Sequence, residues 1–84
     1  MTYRILIVTR ASRELGDLPA DVRDKVSREV RALSDEPRPS DSRKLRSREG
    51  WRIRVGAYRV IYEIDDTERA ITVLHIGHRR DVYR

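Results

Sequence analysis

The sequence predicts a single small α+β domain spanning residues 1–84, with a mostly antiparallel four-stranded sheet and two helices packed on one face, in the order β-α-α-β-β-β. Three observations predict it. A short apolar run opens the chain, two segments of helical period follow, and from Trp51 onward the apolar residues alternate with a period of two. Eighty-four residues leave room for one core only.

The first element is Tyr3–Val8, apolar and partly β-branched, read as a strand. Thr9 is a candidate cap for a short helix with Ala11, Leu15 and Leu18 on its apolar side. Pro19 suits the first turn of a second helix, with Asp21 and Asp24 near its positive end. Val22, Val26, Val30 and Leu33 form one stripe on that helix, so it must pack on something. Glu36-Pro37-Arg38-Pro39 stops it. Residues 40–50 read as a basic loop with Leu45 as a possible anchor.

Gly56-Ala57 then reads as a two-residue turn, with glycine at the first central position favouring type II′ geometry. That turn sets a register: Val55 opposite Tyr58, Arg54 opposite Arg59, Ile53 opposite Val60, Arg52 opposite Ile61 and Trp51 opposite Tyr62. One face collects Trp51, Ile53, Val55, Tyr58, Val60, Tyr62 and Ile64, and the other collects Arg52, Arg54 and Arg59. Asp65–Arg69 makes the next turn, Ala70–Ile76 the last strand, and Gly77 its end.

Charge narrows the function. The net charge is +5. Residues 1–37 carry seven basic and seven acidic side chains, and residues 60–84 carry four and five, whereas residues 38–59 carry eight and two. The excess thus lies in one stretch, as expected of a footprint for a polyanion; a solvated charged face is the alternative. Like charges opposite one another on paired strands cost roughly 0.2–1 kcal/mol. Arg54 against Arg59, with Arg52 beside them, is therefore a cost that an external anion would offset. Phosphate suits the guanidinium fork, although long arginine stems covering a bare sheet face also account for the pattern.

Other chemistry is excluded or unsupported. The chain has no cysteine, so disulfides, thiolate zinc sites and cysteine nucleophiles are ruled out. His75 and His78 have no partner at metal-ligand spacing, and neither a metal nor another cofactor is expected. His75 reads as a packed or hydrogen-bonded histidine, His78 as a group near the arginines. Tyr83 lies in a polar context that suits either a partner contact or proton transfer. The opening apolar run holds four consecutive apolar residues, far short of a signal peptide or membrane span, so a cytoplasmic protein without membrane attachment is expected.

The segments WRIRVGAYRVIYEI at 51–64 and ITVLHIGHRRDVYR at 71–84, with RKLRSREG before them, resemble the RelE branch of the RelE/ParE toxin superfamily. The resemblance covers nearly the whole chain, and the two C-terminal blocks are its specific part. It implies the toxin of a type II toxin–antitoxin system, a ribosome-dependent endoribonuclease cutting mRNA in the A site of the 70S ribosome. It implies metal-independent attack by the RNA 2′-hydroxyl and neutralisation by a cognate antitoxin protein. By position it implies catalytic roles for Arg52, Arg54, Arg59, Arg79 and Tyr83. Arg43, Lys44, Arg46, Arg48, His78 and Arg80 are the expected RNA contacts around them. One departure matters: well-known members carry lysine on the strand where Arg52 and Arg54 stand, and arginine does not act as a general base. Tyr83 or His78 would then serve, or charge stabilisation alone. A ParE-like DNA gyrase inhibitor and a non-catalytic RNA- or ribosome-binding module are the alternatives.

Overall fold

The computed structural model describes residues 2–78. Its elements are β1 (Arg4–Ile7), α1 (Thr9–Gly16), α2 (Ala20–Ala32), β2 (Arg43–Lys44), β3 (Trp51–Val55), β4 (Tyr58–Asp65) and β5 (Ala70–His78). The strands form one sheet in the order β1-β5-β4-β3-β2; β1 runs parallel to β5 and every other pair is antiparallel. The α+β class and the helix arrangement are as the sequence predicts, with one strand more. Arg43-Lys44, expected in a loop, pairs with Arg52 and Trp51. Leu45 N–H donates to the Gly50 carbonyl at 3.0 Å and closes the loop behind that strand. Gly50 is required there: its φ is +124°, and an added Cβ would stand 3.1 Å from the Tyr62 carbonyl oxygen.

The β3–β4 register is the one the turn dictates, all five pairs included. Gly56 has φ +62°, and Arg69 is the one non-glycine residue of positive φ among the described residues, so Ala57 turns with negative φ as type II′ geometry requires. In the next turn Glu68 N–H donates to Asp65 Oδ1 at 2.9 Å.

The core lies between the helices and one sheet face. Ala11 of α1, Val26, Val30 and Leu33 from α2 and the residue after it, and Ile53, Val55, Val60, Tyr62, Ile71, Val73 and Ile76 of the sheet form one buried cluster. Tyr62 is fully buried and its hydroxyl donates to the Pro37 carbonyl at 2.7 Å, which ties the α2–β2 connection to the sheet. Burial, opposed by the Ser42 hydrogen bond, pushes the Tyr62 phenol up to about 12. Arg38 ion-pairs with Asp66 at 2.9 Å while its guanidinium lies over the Trp51 ring, 5.1 Å from the centroid.

Two local expectations are corrected. Thr9 is the first helical residue of α1, not its cap; Val8 precedes the helix and supplies no side-chain hydrogen bond. Gly77 does not end β5, which continues to His78 with Gly77 opposite Arg59. On β5, strict alternation would put His75 in the core, but the strand carries one extra residue, Leu74, between the Ile61–His75 and Tyr62–Val73 pairs. This bulge turns Ile76 inward, where it is 1% exposed, and His75 outward. No helix among the described residues is long and apolar enough to cross a membrane.

Candidate nucleic-acid interface

The sheet face away from the helices gathers the basic side chains, because cross-strand partners share a face. One row across the sheet reads Arg43, Arg52, Ile61, His75; the next reads Arg54, Arg59, Gly77. The structure therefore brings together Arg52, Arg54 and Arg59, as the register predicts, and adds Arg43 from the unanticipated β2. Two like-charge pairs, Arg43–Arg52 and Arg54–Arg59, stand directly opposite one another.

Ile61 is the floor of this face. It is 2% exposed yet lies outside the core cluster, since its side chain points away from the helices and is covered by its neighbours. Arg54 is exposed, whereas Arg52 and Arg59 are half-buried, and Arg59 Nε is fully covered. Arg59 is thus part of the packing over the sheet, its stem shielding apolar surface while its charge stays on that side. Among the described residues, Arg43, Arg52 and Arg54 form no ion pair with a carboxylate; Asp41 lines the same shallow cleft without one. Arg43 donates instead to the Ser40 and Ser42 carbonyls, which fixes its stem at the rim.

A second cleft runs on from this face, lined by Arg43, Lys44, Leu45, Arg46, Ser47, Arg48 and Arg52. Arg46 and Arg48, exposed on the loop between β2 and β3, extend the basic surface past the sheet rim. Lys44 differs from its neighbours. Its register partner is Trp51, and its ammonium lies 5.6 Å from the Trp51 ring centroid, on the helix side. His78 also falls on that side: it pairs with Tyr58 and meets the Tyr58 ring edge-on, centroids 5.6 Å apart. Arg79, Arg80 and Tyr83 lie outside the described residues.

His75, expected to be packed or hydrogen-bonded, is hydrogen-bonded, and the β5 bulge, which alternation does not mark, puts it on this face. Its Nδ1 lies 2.7 Å from the Glu14 carboxylate. Glu14 also accepts the Ile76 N–H at 3.0 Å, filling the edge of β5 that β1 leaves uncovered beyond Val73. Burial alone would raise the Glu14 pKa, but the Ile76 N–H, His75 and Arg10 outweigh it and hold the carboxyl below its ordinary value.

Such a face can grip phosphate oxygens through several guanidiniums and stabilise negative charge that builds on them. Among the described residues Trp51 and Tyr62 belong to the helix side and are not available there to stack a base.

Residues 5–83 match the family model described as ParE toxin of type II toxin–antitoxin system, parDE. The chain is 34% identical over 86 residues to Toxin RelG of Mycobacterium tuberculosis, covering 100% of this chain and 99% of that protein. The archaeal RelE–RelB complex from Pyrococcus horikoshii superposes with a TM-score of 0.85 at 30% identity, covering 98% of this chain and 100% of the matched one. The toxin–antitoxin complex RelBE2 from Mycobacterium tuberculosis gives 0.82 at 32% identity, covering 94% and 100%.

Proposed function

Because this chain belongs to the RelE/ParE toxins of type II toxin–antitoxin systems, we propose that it acts as a ribosome-dependent endoribonuclease cutting mRNA in the A site. The observation that carries this reading is the helix-free sheet face on which Arg43, Arg52, Arg54 and Arg59 stand in two like-charged cross-strand pairs. An arrangement that costs folding energy has a reason when an RNA phosphate fills it.

In the proposed reaction the RNA 2′-oxygen attacks the adjacent phosphorus. The new P–O2′ bond replaces the P–O5′ bond, leaving a cyclic phosphate on one fragment and a 5′-hydroxyl on the other. The 2′-hydroxyl proton passes to a base and the leaving 5′-oxygen gains a proton. Arg52, Arg54 and Arg59 hold the scissile phosphate and stabilise the charge on its oxygens in the transition state. By its place in the sequence Arg79 joins them, and Tyr83 exchanges the proton. Arginine stays protonated, so the sheet face supplies charge and alignment rather than a base. Arg43, Arg46 and Arg48, with Arg80 of the tail, hold the flanking backbone. Lys44 and His78, on the helix side, are the expected contacts this face supports least. The matched complexes hold RelB antitoxins, and a cognate antitoxin protein covering the basic face is proposed for this chain.

A second reading is favoured by the matched family description, which names ParE toxins: inhibition of DNA gyrase without cleavage. One experiment separates the two. Purified protein is added to a translating extract and mRNA 5′-ends are mapped, with plasmid supercoiling by gyrase followed in parallel. The ribonuclease reading expects new 5′-ends within A-site codons and unaffected supercoiling. Intact mRNA with blocked supercoiling would replace it by the gyrase reading, and intact mRNA with ribosome binding alone by a non-catalytic module.

A further inference from the structure

The arginine face has a neighbour at its far edge. The row Arg43, Arg52, Ile61, His75 ends on β5, where β1 has already stopped and α1 stands beside the open strand edge. There Arg10 of α1 reaches back to the sheet: its Nε lies 3.4 Å from Glu14 and its Nη2 3.4 Å from His75 Nε2. The proton arrangement follows from the chemistry. The ionised Glu14 can only accept, so His75 Nδ1 donates to it; a neutral imidazole then leaves Nε2 as an acceptor, and Arg10 donates.

An ordinary i,i+4 pair on a helix is two solvated side chains that lose rotamer freedom for little gain. This pair differs. Glu14 is anchored before Arg10 arrives, by the Ile76 N–H at 3.0 Å and the His75 ring at 2.7 Å, and the His75 side chain is only 13% exposed. Arg10 docks on two acceptors whose positions the fold fixes, while 69% of its own side chain stays exposed. Two N–H groups are engaged inward and three of its five donors remain for a ligand. The Leu74 bulge is what turns His75 to this side. The result is an exposed guanidinium steered by two contacts of 3.4 Å at the margin of an arginine surface, so part of its ordering cost is met in the free protein.

We propose that Arg10, positioned by the Glu14–His75 pair, contacts the single-stranded RNA backbone and carries the binding track from the sheet face round the open β5 edge onto α1. Resting on the RNA reading above, it assigns Arg10 a neighbouring phosphate. Arg10 stands at the β5 end of the row whose other end is Arg52 and Arg43, which is why a neighbouring phosphate and not the scissile one is assigned to it. Glu14 and His75 are positioning residues and touch no substrate.

The test uses a short fluorescent single-stranded RNA with 2′-O-methyl riboses, which cannot be cut, titrated with the full chain over a series of salt concentrations. Arg10→Gln is expected to weaken binding several-fold at low salt and to flatten the slope of log affinity against log salt by about 0.7, one backbone contact. Its melting temperature should stay that of the wild type, as the side chain is exposed. His75→Gln should weaken binding by less, and adding it to Arg10→Gln should change nothing more; full additivity would overturn the positioning role. If Arg52→Gln flattens the slope but Arg10→Gln leaves affinity and slope unchanged, the inference fails while the sheet-face site stands. If the wild type binds with no salt dependence, the RNA reading itself fails and takes the inference with it.

Discussion

Arg54 and Arg59 face each other across β3 and β4, two fixed charges of one sign where a threonine would pack and hydrogen-bond. Arg54 is exposed and makes no ion pair among the described residues, so little holds it there for stability. Arg54→Thr is therefore expected to stabilise the fold by about 0.2–1 kcal/mol in urea denaturation, most clearly at low salt where screening is weak. An unchanged or lower midpoint at low salt would show that the repulsion is relieved in some other way. The positions of Arg52, Arg54 and Arg59 were legible in the sequence because Gly56-Ala57 leaves one way to close the hairpin, and a fixed register assigns every side chain a face. The burial of Arg59 was not legible. It depends on how the long side chains crowd together on that face, which alternation does not encode.

At the scale of elements, the sheet gains two features from tertiary context. β2 is two residues long and forms because the loop returns through Gly50, whose positive φ lets Leu45 meet the Gly50 carbonyl; a run of charges and serine offers no periodic signal for it. The β5 bulge likewise has no local marker, since Leu74 is as good a strand residue as its neighbours. It exists because Ile76 must enter the core and because the Glu14–His75 contact ties α1 to the far side of the edge. That contact carries a pH dependence. The Glu14 carboxyl is held below its ordinary value of 4.5, so its contribution is present above that pH and is lost as pH falls through the lower folded value. Asp66, held down by Arg38 and Tyr3, shifts in the same direction. Stability measured by urea denaturation should fall on acidification below about pH 4.5, and Glu14→Gln should make that fall shallower. An identical acid profile in the variant would show that the edge contact is energetically idle.

For the whole molecule, the division is between a helix side that holds the fold together and an open side that does not. The apolar stripe of α2, the alternating faces of β3 and β4 and the buried Tyr62 supply the core. The opposite face carries charge the core has no use for. Fold class and helix packing were readable because both depend on periodicity, whereas the Arg10–Glu14–His75 edge joins residues more than sixty positions apart and was not. If the open face serves RNA scission at some expense to stability, the Arg52→Gln/Arg54→Gln double variant should lose cleavage and keep its fold, which a single-turnover assay with programmed ribosomes measures. The expected rate is at least about 100-fold below wild type, from a protein whose melting temperature is equal or higher. Cleavage within a few-fold of wild type by the folded double variant would contradict it.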